Sequence, residues 1–97
     1  PVLGLRRVAN IDEAIAAIRE CEFANATTIF TSNGGHARRF QHEAGVSMMG
    51  INIGVAAPMA FFPFGGTKQS FFGDLKAHGQ DSIRFFTDAK VVISRWF

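Results

Sequence analysis

Ala26-Thr27-Thr28-Ile29-Phe30-Thr31, closed by the turn cluster Ser32-Asn33-Gly34-Gly35, decides the fold of this chain. The first six residues are rich in β-branched side chains, which pack well on a pleated surface and mark a strand. The turn cluster also offers a helix cap, and Ala37, Phe40, Gln41 and Ala44 then repeat at helical spacing. Gly45 fits a helix C-terminal stop, and Val46 to Ile53 reads as a nearly continuous apolar strand. Upstream, Asn10 with Glu13 three residues on forms a capping box. Ile11, Ala14, Ile15 and Ile18 share one face of the helix this predicts over about 11–21. Val2 to Val8, short and apolar with β-branched ends, predicts a strand ahead of it. Strand, helix, strand, helix, strand is the alternation of a parallel α/β sheet with crossover helices. Continuous apolar strands suit a sheet covered on both faces.

The alternation lapses from Gly54 to Gly73, a Gly/Pro/Phe-rich stretch longer than ordinary connections and so marked as a functional loop. Asp74 to Asp88 reads as helical but interrupted at Gly79, with Asp81 or Ser82 able to cap a new start. Lys90-Val91-Val92-Ile93-Ser94-Arg95-Trp96-Phe97 reads as a terminal strand. There is no internal repeat and no inter-domain linker.

At 97 residues the chain is one domain or part of one. Its first residue is Pro1 rather than Met, which predicts an upstream portion. A hydrophobic share of 47% against 19% charge excludes disorder. Eleven Phe with no Tyr points to buried interfaces, because phenylalanine has no polar tip to hold at a surface. The net charge of +2 is spread out, with only the pairs Arg6-Arg7 and Arg38-Arg39, so no basic stripe supports a nucleic-acid partner. The longest apolar stretch, Val55 to Phe64, is broken by Pro58 and Pro63 and is too short for a membrane-spanning helix. No signal peptide is evident. Cys21 is the single cysteine, which rules out an intramolecular disulfide and suits a reducing compartment.

Most candidate chemistry reduces to ordinary roles. His36, His42 and His78 lack metal-ligand spacing, and His42-Glu43 is followed by Val46 where a zinc motif needs histidine. They read as solvated or core-edge histidines. Gly65-Gly66-Thr67-Lys68-Gln69-Ser70 suggests a phosphate loop but lacks the Gly-x-x-x-x-Gly-Lys-Ser/Thr spacing. Asn52-Ile53-Gly54 lies at a strand's C-terminal end, where open α/β sheets bind ligands, although a plain turn explains it equally. Cys21 reads as a packing residue, and the carboxylates Glu20 with Glu22 or Asp74 with Asp81 form no acid/base pair. No complete catalytic set is present.

Pro63-Phe64-Gly65-Gly66, then Lys68-Gln69-Ser70 and Gly73, a helix and Lys90-Val91-Val92 resemble the C-terminal end of the aldehyde dehydrogenase superfamily. The resemblance runs the whole length. Pro1-Val2-Leu3 is similar to the close of Glu-x-Phe-Gly-Pro-Val, Asn25 to Thr31 to the strand after the next helix, and Gly50-Ile51-Asn52 to Gly-x-Val-Asn. Ser70-Phe71-Phe72-Gly73-Asp74 resembles the CoA-acylating methylmalonate-semialdehyde dehydrogenase branch. Phe23-Ala24-Asn25 stands where that branch carries Tyr-Gly-Asn, and Phe62-Pro63-Phe64 where it usually carries Phe-Ser-Phe.

The resemblance implies that residues 1–89 are the C-terminal part of the catalytic domain and 90–97 an oligomerisation strand that adds to a partner's sheet. It implies an oxidation in which a cysteine thiolate captures a short semialdehyde, hydride passes to NAD and the thioester is handed to CoA. The nucleophile, oxyanion-hole asparagine, general base and NAD-binding domain then lie upstream of Pro1, so the chain alone is expected to be inactive and to bind neither cosubstrate tightly. Phe64 matches the aromatic residue lining the family's aldehyde tunnel, and Pro58, Met59, Phe61 and Phe62 are weaker matches to the same wall. The partners implied are the upstream catalytic portion, further copies of the chain and a small aldehyde; the compartment is the cytoplasm or a mitochondrial matrix. A non-catalytic interaction module built on the same fold is the alternative reading.

Overall fold

A computed structural model describes residues 1–97. The elements in chain order are α1 (Ile11–Glu20), β1 (Phe23–Ala24), β2 (Ala26–Ile29), α2 (Gly34–Glu43), β3 (Met48–Ile51), β4 (Thr67–Lys68) and α3 (Gly79–Phe86). β2 and β3 pair in parallel, Ala26 opposite Met48 through Ile29 opposite Ile51, with α2 as the crossover. This is the β-α-β unit expected from the stretch beginning at Ala26, with its turn cluster spent on capping. Asn33 Oδ1 accepts from the Gly35 and His36 amides at 2.8 and 3.2 Å, so α2 starts at Gly34, ahead of the apolar repeat.

α1 begins as its capping box dictates. The Glu13 amide donates to Asn10 Oδ1 at 3.0 Å, and Glu13 Oε2 accepts the Ala9 amide at 2.8 Å. Its apolar face places Ile15 against Phe40 and Ala44 of α2, with Ile11, Ile18, Ile29 and Met49 packed around them. Arg39 ties the two helices from outside, bonding Asp12 of α1 at 2.6 Å and Glu43 of α2 at 3.0 Å. The core is therefore a thin layer between a helix pair and one parallel strand pair. Only 9 of 97 residues are buried, too few for the both-faces coverage predicted from the apolar strands.

Three sequence expectations are corrected. Val2 to Val8 forms no strand, so the parallel β-α-β-α-β ladder contains one crossover rather than two. Lys90 to Phe97 forms no strand within the single chain either. The reason is shared: a strand exists by its ladder of backbone hydrogen bonds, and neither terminal segment has a neighbouring strand in this chain. Their apolar side chains stand in solvent, Leu5 at 91% exposure and Ile93 at 94%. These arms give a radius of gyration of 18.5 Å, against about 13 Å for a compact chain of this length. The third correction is at Asp74 to His78, which is not helical; the helix expected from Asp74 to Asp88 begins at Gly79 and ends at Phe86. His78 at φ 70° and Gly79 at φ 59° are incompatible with a helix running through them.

Candidate functional site

The long loop after β3 is anchored at its far end by structure that no periodicity announces. β4 pairs antiparallel with β1, Phe23 opposite Lys68 and Ala24 opposite Thr67. Ser70 Oγ accepts the Ala24 amide at 2.9 Å, and the Gln69 amide donates to the Glu22 carbonyl at 3.0 Å. Lys68 takes a positive φ of 53° and sends its ammonium back to the Arg19 and Cys21 carbonyls at 2.8 and 2.7 Å, closing the C-terminal end of α1. The downstream lysine does the same on the other side: Lys76 Nζ binds the Gly66 carbonyl and lies 4.3 Å from the centre of the Phe71 ring.

Immediately before these anchors in the chain lies Phe62-Pro63-Phe64-Gly65-Gly66. Gly65 and Gly66 are both buried, and a Cβ on Gly66 would sit 2.7 Å from Ser70 Cβ and 3.2 Å from Asn25 Cα. Gly66 thus lets the loop press onto the β1–β4 strand pair, and Gly65 leaves room for the Phe71 and Lys76 side chains. Phe64 is fixed by a two-way bridge to Ala77, its amide donating at 2.7 Å and its carbonyl accepting at 2.9 Å. The Phe62 amide closes a turn on the Met59 carbonyl at 2.9 Å, and the Gly79 amide holds the Ala60 carbonyl at 3.1 Å.

The structure brings some expected wall residues together and separates others. Phe61 and Phe62 pack ring against ring, centroids 4.7 Å apart and tilted by 48°. Phe64 instead stacks on His78, 5.4 Å between centroids and 28° between planes. Met59, Phe61, Phe62 and Phe64 are all open to solvent, Phe64 least at 39%. Pro58 and Pro63 line a hollow of about 300 Å³ with Met48, Met49, Ile53 and Val55. The loop is therefore an apolar face that closes a cavity only with something packed opposite it.

His78 is the site residue that sequence reasoning missed. It read as a solvated or core-edge histidine, yet its ring covers Phe64. The two lie fourteen positions apart in sequence, and the Phe64–Ala77 bridge makes them neighbours. Asn52 stands where expected, at the end of β3, but its side chain is engaged with Thr31 rather than free for a ligand. The Gly65 to Ser70 segment is unsuited to phosphate. Lys68 and Lys76 are both spent on backbone carbonyls, and the Gly66 carbonyl, not an amide, faces the nearer lysine. The phosphates of a nucleotide cosubstrate do not fit this loop.

Ionisable groups of altered acid strength lie in the helix layer. The hydrogen bond from Arg39 holds the Glu43 carboxyl below its ordinary range, and Glu43 and Asp12 together push the Arg39 guanidinium further up. Cys21 is exposed at the end of α1.

The profile of the aldehyde dehydrogenase family matches residues 1–92. A malonate-semialdehyde dehydrogenase of Halalkalibacterium halodurans is 50% identical over 96 residues, covering 99% of this chain and 20% of its own length. A malonate-semialdehyde dehydrogenase of Geobacillus kaustophilus shows the same identity and coverage. The crystal structure of methylmalonate-semialdehyde dehydrogenase from Oceanimonas doudoroffii superposes with a TM-score of 0.89 at 47% identity, over 93% of this chain and 18% of that one. A Sinorhizobium meliloti structure assigned to the same activity and complexed with NAD gives 0.86 at 41% identity, over 90% of this chain and 18% of that one. The chain spans about one fifth of the length of the curated relatives it matches.

Proposed function

This chain belongs to the aldehyde dehydrogenase family, and from that premise we propose that it is the C-terminal part of an NAD-dependent, CoA-acylating dehydrogenase of malonate semialdehyde, methylmalonate semialdehyde or a similar short semialdehyde. The observation that carries the reading is the loop from Met59 to Gly66. Its aromatic face is held open by backbone bonds to Ala77 and Gly79, in a chain half identical to malonate-semialdehyde dehydrogenases.

Each residue of the loop has a task in this reading. Phe64, Phe62, Phe61 and Met59 supply one side of the aldehyde tunnel, where a flat apolar wall excludes water and limits the length of acyl chain that fits. Gly66 lets that wall approach the β1–β4 strand pair, and the two lysines fasten the chain beside it. NAD supplies the hydride acceptor and CoA the acyl acceptor, and both are held by the upstream portion. The nucleophile also belongs to that portion, which makes the 97-residue chain inactive alone. Residues 90–97 pair with another copy of the chain, and the single cysteine suits a reducing compartment such as the cytoplasm.

The test uses two samples. The intact enzyme carrying this chain, given NAD, CoA and malonate semialdehyde, is expected to form NADH and an acyl-CoA. The purified 97-residue chain under the same conditions is expected to form neither. Sustained turnover by the chain alone, or an intact enzyme indifferent to short semialdehydes, would overturn the reading.

A further inference from the structure

His78 occupies a backbone conformation that costs a non-glycine residue free energy. Its φ of 70° and ψ of 166° lie in a region populated almost only by glycine, and Gly79 follows at φ 59°. The residues of this turn, Ala77 to Gly79, hold the tunnel loop at two points. The Gly79 amide binds the Ala60 carbonyl, and Ala77, one residue before His78, bridges Phe64 in both directions. Glycine at 78 would adopt this turn without strain, whereas the imidazole adds one contact that glycine lacks, the stack on Phe64. Phe64 is bridged through its backbone and has Gly65 as its next neighbour, so its own chain fixes its position but not the plane of its ring. The aromatic group stacked on that ring is the His78 imidazole, 28° from parallel.

We propose that His78 is a positioning residue of the aldehyde site: its imidazole, stacked on Phe64, holds the phenyl ring as a flat wall at the distance a short acyl chain requires. The inference rests on the reading of Phe64 as tunnel wall. His78 touches no reacting atom in this role. It acts through Phe64, so its loss weakens the hold on the aldehyde and leaves the chemical steps alone. Aldehydes long enough to reach past Phe64 lose least, because they do not depend on one ring for their fit. Removing His78 therefore relaxes the preference for short semialdehydes as well as weakening it.

The experiment compares H78G, H78F and F64A in the intact enzyme with malonate semialdehyde and with a six-carbon aldehyde. H78G relieves the backbone and removes the ring, and is expected to keep or raise the melting temperature. It is expected to raise KM for the short substrate roughly two- to tenfold with kcat little changed, the range set by the worth of one aromatic pair. Stability and substrate affinity then move in opposite directions, which a merely structural role does not produce. H78F restores a ring on the same backbone and returns KM towards the wild-type value. Wild-type KM and chain-length preference in H78G, with both altered in F64A, would overturn the positioning role and leave the wall in place. Wild-type kinetics in F64A would overturn the wall itself, and the positioning role with it.

Discussion

The Asn52 side chain clamps the backbone of Thr31 from both sides, its Oδ1 accepting the Thr31 amide at 2.8 Å and its Nδ2 donating to the Thr31 carbonyl at 3.0 Å. The clamp fastens the ends of β2 and β3 together after their ladder has finished, with the Asn52 amide adding a bond to the Ile29 carbonyl at 2.8 Å. The position demands a particular residue: φ is 57°, where asparagine is tolerated better than other side-chain-bearing residues. The loop that carries the aromatic wall leaves the sheet from this point, so the clamp sets its direction.

Asn52→Ala is expected to lose both side-chain bonds and to keep an unfavourable φ, for a total of about 2–4 kcal/mol. Asn52→Gly loses the bonds but relieves the backbone, and is expected to fall between Ala and wild type. Asn52→Asp keeps the acceptor and sets a carboxylate oxygen against the Thr31 carbonyl, so it is expected to be no better than Gly. Denaturant midpoints of the three variants check the order; equal midpoints for Ala and Gly would remove the backbone part of the argument.

The Arg39 bridge between α1 and α2 predicts an acid-sensitive helix layer. The hydrogen bond from Arg39 lowers the Glu43 carboxyl below its reference value of 4.5. A carboxyl whose folded value is depressed contributes stability that is fully present above the unfolded value and is lost as pH falls through the folded one. The Glu43 contribution to stability should therefore be flat from neutrality to about pH 5 and be lost as pH falls below 4.5. Both partners are solvent-exposed, so salt should blunt the effect. Glu43→Gln is expected to remove this share of the acid sensitivity in a thermal-melt series against pH; an unchanged acid limb would count against it.

Gly79 predicts the sharpest single-methyl effect near the site. A Cβ there would lie 2.6 Å from the Phe61 carbonyl oxygen, and φ is 59° besides. The obstacle is backbone, so Gly79→Ala must displace Phe61 or unwind the start of α3. A cost of about 1–3 kcal/mol is expected, together with a raised KM for the aldehyde in the intact enzyme. Gly54→Ala is the control, since nothing lies within 4 Å of its Cβ position, and it should stay within about 0.5 kcal/mol of wild type.

The parts of this structure that sequence revealed are those whose cause is local. Asn10 and Glu13 fix the start of α1 through atoms three residues apart, and the Ile11, Ile15, Ile18 face follows from the helical repeat. The parallel pairing of β2 with β3 was legible because a β-rich run, a capped helix and an apolar run leave few other topologies. β1 and β4 were not legible, because two residues each carry no periodicity and their pairing joins positions more than 40 residues apart. Phe64 entered through its motif, whereas its partner His78 depends on a long-range bridge and on a positive φ that histidine does not advertise. The terminal arms show the opposite failure. Val2 to Val8 has strand composition but no strand, because propensity states what a segment suits and not whether a ladder is available.

That distinction makes the last segment the clearest test of assembly. Val91, Ile93, Trp96 and Phe97 are all more than four-fifths exposed, in a segment whose backbone bonds to no strand of its own chain. An apolar edge of this kind is an association hazard unless another sheet takes it up, and lysine is the residue with which natural sheets blunt such edges. Ile93→Lys is therefore expected to weaken self-association of the intact enzyme. Withdrawing one isoleucine from a buried contact is worth about 1.5–3 kcal/mol, which corresponds to a roughly ten- to hundredfold weaker association per paired strand. Val92→Pro attacks the same pairing through the backbone, by removing an amide that a ladder would use. Light scattering across a dilution series reads both. If pairing holds the copies together, each variant shifts to smaller species at concentrations where the wild type stays assembled; an unchanged size for both would place the interface elsewhere in the protein.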